Sequence, residues 1–221
     1  MKNVFSVDVE DYFQVEAFAG TIDRATWEER PLRVEANTER VLALLDERKV
    51  KGTFFVLGWV AKRLPHLVRR IADGGHEIAS HGMSHRLIYS QAPEVFRQET
   101  IESKRLLEDQ CQTAVIGYRA ATYSITNKSL WALDILHEAG FLYDSSIFPV
   151  WHDKYGIPDA PRLPYRLKTP MGRELVEFPI TILERGNLRV PIGGGGYFRF
   201  FPYAFSRWAL KSVNKETHPF V

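Results

Sequence analysis

The sequence of 221 residues predicts an α/β fold in which a parallel sheet is wrapped by helices. Two observations carry this. Short β-branched and aromatic runs alternate with amphipathic stretches from Asn3 to Tyr143, the pattern of strand–helix–strand crossovers rather than of hairpins. Residues able to do chemistry also come directly after the apolar runs, where parallel sheets gather their functional groups.

Asn3–Val7 is apolar and β-branched enough for a buried strand. Glu35–Lys49 sets Val41, Leu42, Leu44 and Leu45 among charges, an amphipathic helix. Thr53–Leu57, after Gly52, is a second buried strand. A helix follows over Val60–Ala72, with Pro65 near its start and Gly74-Gly75 closing it. Glu77–Ala79 is a brief third strand. Pro93–Asp109 is a third helix with proline in its first turn, Ala114–Tyr118 a fourth strand, Lys128–Ala139 a helix stopped by Gly140, and Phe141–Tyr143 a fifth strand. Beyond Pro149 the periodicity degrades. Prolines at 158, 161, 164 and 170 punctuate a loop-rich region with short strands expected at Tyr165–Lys168 and Leu175–Phe178. A last helix is expected over Pro202–Val213, and Thr217–Val221 reads as the start of another strand, so that the domain over residues 1–221 looks truncated at its C-terminal end. Trp27, Trp59, Trp131, Trp151 and Trp208 are expected mostly in the core.

Composition removes several function classes. Hydrophobic residues at 45% and charged residues at 25% are ordinary for a globular chain with a real core. The formal charge of +2 comes from 29 basic and 27 acidic residues scattered along the chain, with no basic stripe for nucleic acid. Cys111 is the sole cysteine, which excludes an intrachain disulfide and a cysteine-based zinc site. No apolar run is long enough to enter a membrane, and charge arrives too early for a signal peptide, so a cytoplasmic protein is expected.

The chemistry is concentrated in a few segments. Asp8-Val9-Glu10-Asp11 ends the first apolar run, and Ser80-His81-Gly82-Met83-Ser84-His85 follows the third. Two imidazoles and a carboxylate are the donor set of a catalytic zinc or similar divalent ion, with one position left for water. A spacing of four residues is about one helical turn, which lets both rings point the same way. His76-Glu77 opens like a zincin motif, but Ser80 stands where its second histidine is needed. Arg119, at the end of the fourth strand, suits either an oriented carboxylate partner or a surface salt bridge. Asp144-Ser145-Ser146 ends the fifth strand, in a functional role or in a plain Asx turn. Gly193–Gly196 is no phosphate loop, because neither Lys-Ser nor Lys-Thr follows it. Tyr197, Phe198, Phe200 and Phe201 beside it fit a core or a lid better than a sugar platform. These residues point to metal-assisted hydrolysis.

In this order, the segments resemble the polysaccharide deacetylase family that carries the NodB homology domain. Ser6–Asp11 is similar to its first motif, Ser80–His85 to the second, Arg119–Tyr123 to the third, and Asp144-Ser145-Ser146 lies where the fourth is expected. Asp8–Phe13 together with Gly194–Arg199 resembles a branch associated with exosortase-linked exopolysaccharide loci and related to the peptidoglycan deacetylase and allantoinase-like group. The resemblance implies a deformed (β/α) barrel of seven strands, incomplete at its C-terminus. It implies one divalent ion, zinc before cobalt, nickel or manganese, and removal of N-acetyl groups from amino sugars of a polysaccharide. Asp8 would be the base, Arg119 its orienting partner and Asp144 a supporting residue. His81 and His85 would be metal ligands, with Glu10 preferred to Asp11 as the carboxylate ligand. A backbone N–H near Thr122 or Tyr123 would receive the oxyanion. Two departures stand out: Ala121 replaces the proline of the third motif, and the late-strand histidine that serves the family as general acid is not present, His218 being a poor substitute. A non-catalytic sugar-binding component and an amidase acting on a small ureide or cyclic amide are the alternative readings, and a homo-oligomer stays open.

Overall fold

The computed structural model describes residues 3–186, 188–216 and 218–221. The expected apolar runs become parallel strands β1 (Ser6–Val9), β2 (Thr53–Val56), β3 (Glu77–Ser80), β4 (Gly117–Tyr118) and β5 (Tyr143–Asp144). β6 (Tyr165–Lys168) and β7 (Glu174–Glu177) complete a 7-stranded sheet in the order β1-β2-β3-β4-β5-β7-β6, in which β7 runs parallel to β5 and β6 lies antiparallel on the edge. The expected seven-stranded, mostly parallel α/β architecture is therefore present.

Helices α1 (Val34–Glu47), α2 (Gly58–Arg63), α3 (Pro65–Asp73), α4 (Pro93–Cys111) and α5 (Trp131–Glu138) bury their apolar faces with the sheet. The single helix expected over Val60–Ala72 is two. Pro65 restricts its predecessor sterically, and Leu64 leaves the helical region with φ −126° and ψ 59°. Phe54, Val56, Leu57, Val68, Ile71, Leu107 and Leu136 are fully buried in the main core, and each stabilises the fold by roughly 1.5–3 kcal/mol relative to exposure.

The parallel ladder runs one hydrogen bond past each assigned strand. Leu57 N–H donates to Val9 O at 3.2 Å, His81 N–H to Val56 O at 3.0 Å, Arg119 N–H to Ser80 O at 2.9 Å, Ser145 N–H to Tyr118 O at 2.9 Å and Phe178 N–H to Asp144 O at 2.8 Å. Residues at the carboxyl ends are thus held by sheet geometry although they sit at the mouths of loops.

The C-terminal part departs most from expectation. β8 (Ile182–Arg185) and β9 (Leu188–Pro191) form a separate antiparallel pair, joined across its faces by Arg189 Nε donating to Glu184 Oε1 at 2.9 Å. The glycine run opens a short helix, α6 (Gly195–Phe200), and α7 (Tyr203–Asn214) follows. The strand expected at Thr217–Val221 begins on a residue outside the described ones, and residues 218–221 form none. Phe220 O nevertheless accepts from Val4 N–H at 2.9 Å, which lays this segment beside the approach to β1. Trp27 is buried and Trp59 and Trp131 pack on the core as expected, whereas Trp151 is 82% exposed and Trp208 50% exposed. Phe198 and Phe200 are likewise on the surface rather than in a core. Among the described residues no helix is long and apolar enough to cross a membrane.

Candidate metal centre

β1 reaches Val9, so Asp8 lies inside the strand rather than after it, and Glu10 is the first residue beyond. Alternation along a strand sends Ser6 and Asp8 to the same face. Both meet Arg119, whose Nη1 donates to Ser6 Oγ at 3.0 Å and to Asp8 Oδ1 at 2.8 Å. Glu10 Oε2 stands 2.5 Å from His85 Nε2 and 3.8 Å from His81 Nε2. That oxygen is buried and has no hydrogen bond of its own. The ligand atoms of Glu10, His81 and His85 all lie within 4.8 Å of one another. Two imidazole nitrogens and a carboxylate oxygen converging in this way are a donor set suited to a divalent ion.

The histidine pair sits on a turn and not on a helix. Gly82 takes φ 75° and His85 φ 53°, reversing the chain between the rings. The exposed amides of α2 hold the turn from behind: Gly58 N–H donates to Gly82 O at 2.8 Å and Trp59 N–H to Met83 O at 3.0 Å. This supplies the helix start with acceptors that no side chain provides. A Cβ at Gly58 would stand 2.2 Å from the Met83 sulfur and 3.1 Å from Met83 Cα, so a side chain there would displace Met83 from the turn. Arg24 closes the other side, with Nη2 donating to His85 O at 2.6 Å and Nη1 to Ser84 O.

The two rings are held differently. His81 Nδ1 lies 2.9 Å from Arg119 O, and a carbonyl acceptor requires the proton on Nδ1, leaving the Nε2 lone pair toward Glu10. His85 Nδ1 is buried with no hydrogen-bond partner. Burial lowers the His81 pKa, and the nearby charges of Asp8 and Glu10 offset part of that effect. Burial would raise the Asp8 carboxyl, but Arg119 and the two imidazoles outweigh it and hold the group below its ordinary value. Asp8 is therefore ionised near neutrality, as a proton acceptor must be.

Arg119 is buried, which removes the surface salt-bridge reading. Its Nη2 donates to Ser145 Oγ at 2.9 Å and its Nε to Ser145 O at 3.2 Å, and its guanidinium lies 3.9 Å from the centroid of Phe55. Asp144 is fully buried at the end of β5 and accepts from Ser146 Oγ at 2.6 Å.

Asp11 does not join the histidines. Its carboxylate accepts from the backbone N–H groups of Tyr12 at 2.8 Å, Arg33 at 2.7 Å and Val34 at 2.9 Å, tying the chain after β1 to the start of α1. The reason is positional: Glu10 and Asp11 are neighbours at a strand end, and only one of them faces the cluster. Thr122 and Tyr123 take left-handed φ values of 54° and 52°, a conformation that costs a non-glycine residue energy and is concentrated at functional sites. Tyr123 N–H donates to Ala120 O at 3.0 Å, so that amide is already engaged. His218 is exposed. Sequence reasoning missed Arg24 and Glu177, and gave Ser6 and Ser146 no role of their own although both lie inside the motifs it singled out. Of these, only Ser6 and Ser146 carried a signal, since they flank Asp8 and Asp144 at strand ends.

Comparison with known proteins adds the following. Residues 19–143 match the family described as Polysaccharide deacetylase, and residues 145–221 match a Domain of unknown function, DUF3473. A chitooligosaccharide deacetylase of Sinorhizobium fredii is 34% identical over 99 residues, covering 45% of this chain and 44% of that protein. A peptidoglycan-N-acetylglucosamine deacetylase of Bacillus cereus is 34% identical over 71 residues, 32% of this chain and 33% of that protein. The chain thus spans less than half the length of these curated relatives. The crystal structure of a Mycobacterium smegmatis protein named as a polysaccharide deacetylase superposes with a TM-score of 0.62 at 30% identity, over 80% of this chain and 58% of that one. PuuE allantoinase shares the fold, with a TM-score of 0.61 at 19% identity over 98% of this chain and 74% of that one.

Proposed function

The chain belongs to the polysaccharide deacetylase family, and from that premise we propose that it is a metal-dependent hydrolase removing N-acetyl groups from amino sugars of a polysaccharide, of exopolysaccharide or peptidoglycan type. One observation supports this above the others: Glu10, His81 and His85 converge beside an Asp8–Arg119 pair at the carboxyl ends of the sheet.

Glu10, His81 and His85 would hold one divalent ion, zinc by preference and cobalt, nickel or manganese as substitutes. Such an ion supplies Lewis-acid chemistry, polarising an amide carbonyl and making water a stronger acid. Asp8 accepts the proton of the attacking water, its carboxylate kept ionised and aimed by Arg119 Nη1. Arg119 is itself immobilised by Ser6, Ser145 and the Phe55 ring, so the base cannot swing away. The Thr122 N–H is the backbone donor assigned to the developing oxyanion. Thr122 and Tyr123 follow Arg119 in the chain, and Thr122 takes the left-handed conformation, φ 54° and ψ 26°.

The test is titration of the purified chain with zinc, cobalt, nickel and manganese, beside acetate release from N-acetylglucosamine oligomers. Release should require the metal and should be lost in His81→Ala and Asp8→Asn. Turnover that ignores Asp8→Asn would contradict the assigned base.

A further inference from the structure

Arg119 and Ala120 share one peptide unit, and both of its polar ends are held. The Arg119 carbonyl accepts from His81 Nδ1 at 2.9 Å, while the Ala120 N–H donates to Ser146 Oγ at 2.8 Å. The Ser146 hydroxyl in turn donates to Asp144 Oδ1 at 2.6 Å. Behind Asp144 stands Glu177, also fully buried. Glu177 Oε1 accepts from Ile147 N–H at 3.0 Å. The remaining oxygens, Asp144 Oδ2 and Glu177 Oε2, are buried with no hydrogen-bond partner, and the two carboxyl groups are neighbours across the sheet, close enough to share a proton.

Two buried carboxyls in contact cannot both ionise, so the pair retains a proton. Burial pushes Asp144 up to about 6, and burial together with the Asp144 charge raises Glu177 well above its ordinary value. A shared proton leaves the pair with one negative charge, against which Ser146 donates. Toward Asp144 the hydrogen bonds point one way, His81 to the Arg119 carbonyl, Ala120 N–H to Ser146 and Ser146 to Asp144, while the proton shared with Glu177 meets Asp144 from the other side. Donating to Asp144 makes the Ser146 oxygen a better acceptor for the Ala120 N–H, and that bond makes the Arg119 carbonyl a better acceptor for His81.

We propose that Ser146, locked by the Asp144–Glu177 carboxyl pair, is the positioning residue for His81: it fixes the peptide unit between Arg119 and Ala120, which orients the ring and strengthens its Nε2 as a ligand. The inference rests on the metal reading of Glu10, His81 and His85. It makes the two histidines unequal. His81 is preset through a chain of buried hydrogen bonds, whereas His85 Nδ1 meets no such chain.

The test uses the full chain and its Ser146→Cys and Ser146→Ala variants. The thiol keeps the volume but is a weak acceptor, so the cysteine variant guards against loss of fold in the alanine variant. Three readouts are taken: cobalt and zinc dissociation constants, the His81 Nδ1-bound proton in imidazole NMR spectra of the metal-free protein, and the thermal melt. Outer partners of ligand histidines are worth about 10- to 100-fold in metal affinity. The expected result is a loss in that range for Ser146→Ala and a smaller loss for Ser146→Cys, with the His81 proton moving upfield in both. Wild-type cobalt affinity together with an unmoved His81 proton in Ser146→Cys would overturn the proposal. A wild-type chain that binds no metal yet shows the Ser146-dependent proton shift would overturn the metal reading while supporting the hydrogen-bond chain.

Discussion

The carboxyl-end face of β1–β5 and the outer layer of β8, β9, α6 and α7 treat their side chains in opposite ways. On the first, ionisable and polar groups are buried and cross-bonded: Asp8 to Arg119, Arg119 to Ser145, His81 to the Arg119 carbonyl, and Asp144 to Ser146 and Glu177. On the second, large apolar groups stand in solvent, with Phe200 at 80% and Tyr203 at 70% exposure. The difference is one of backbone support. Parallel ladder bonds run past the strand ends and hold polar residues in register where they can satisfy one another, while the β8–β9 pair presents no such row of ends. Burial of charge is tolerated only where partners are already in place.

Substitutions on the two regions should therefore separate widely. The largest effect is expected for His81→Ala or His85→Ala. Each should weaken divalent-ion binding beyond the roughly 10- to 100-fold typical of losing an outer partner, and abolish acetate release, as read by calorimetric titration and an acetate assay. Asp8→Asn should leave the ion bound and lower turnover by about 10²–10⁴. Loss of the ion in this variant would show that the base and the ligand set are not distinct. Arg119→Ala takes the buried partner away from the part-buried Asp8 carboxylate and should lower unfolding stability by about 1–3 kcal/mol in urea melts.

Much of the fold was legible because strand and helix patterns alternate up to Tyr143, and the site was legible because its groups follow the apolar runs. What misled was the use of hydrophobicity to end a strand. The last two residues of β1, β3 and β5 include Asp8, Ser80 and Asp144, so the apolar run stops before the ladder does. Asp11 could not be told from Glu10 because its partners, the Arg33 and Val34 amides, are remote in sequence. Glu177 looked like any acid in a short strand, since nothing local says that its neighbour across the sheet is Asp144. That Trp151 and Trp208 stand outside the core was not legible, because aromatic content alone does not say which face a segment turns outward.

A smaller effect tests the buried pair. Asp144 has an ordinary value of 3.8 and is pushed up to about 6, and Glu177 is raised in the same direction. Unfolded chain loses these protons first, so above the ordinary values it binds fewer protons than the folded chain. The pair's contribution is thus full below pH 3.8 and is lost as pH rises through about 6. Glu177→Gln keeps a donor toward Asp144 and removes one titration, so its stability relative to wild type should rise from pH 5 to pH 8 in chemical denaturation. A parallel pH dependence in the two proteins would show that the pair is not coupled. The least effect is expected on the outer layer. Phe200→Ala or Trp208→Ala should change stability by about 0.5 kcal/mol or less and leave acetate release unaltered. A marked loss of turnover there would break the contrast between the regions.

The central claim is that Glu10, His81 and His85 share one divalent cation. Anomalous diffraction from crystals grown with zinc tests it most directly. A single peak about 2.0–2.2 Å from Glu10 Oε2, His81 Nε2 and His85 Nε2 is the expected result. A peak that leaves out any of the three, or zinc bound only elsewhere on the chain, would contradict it.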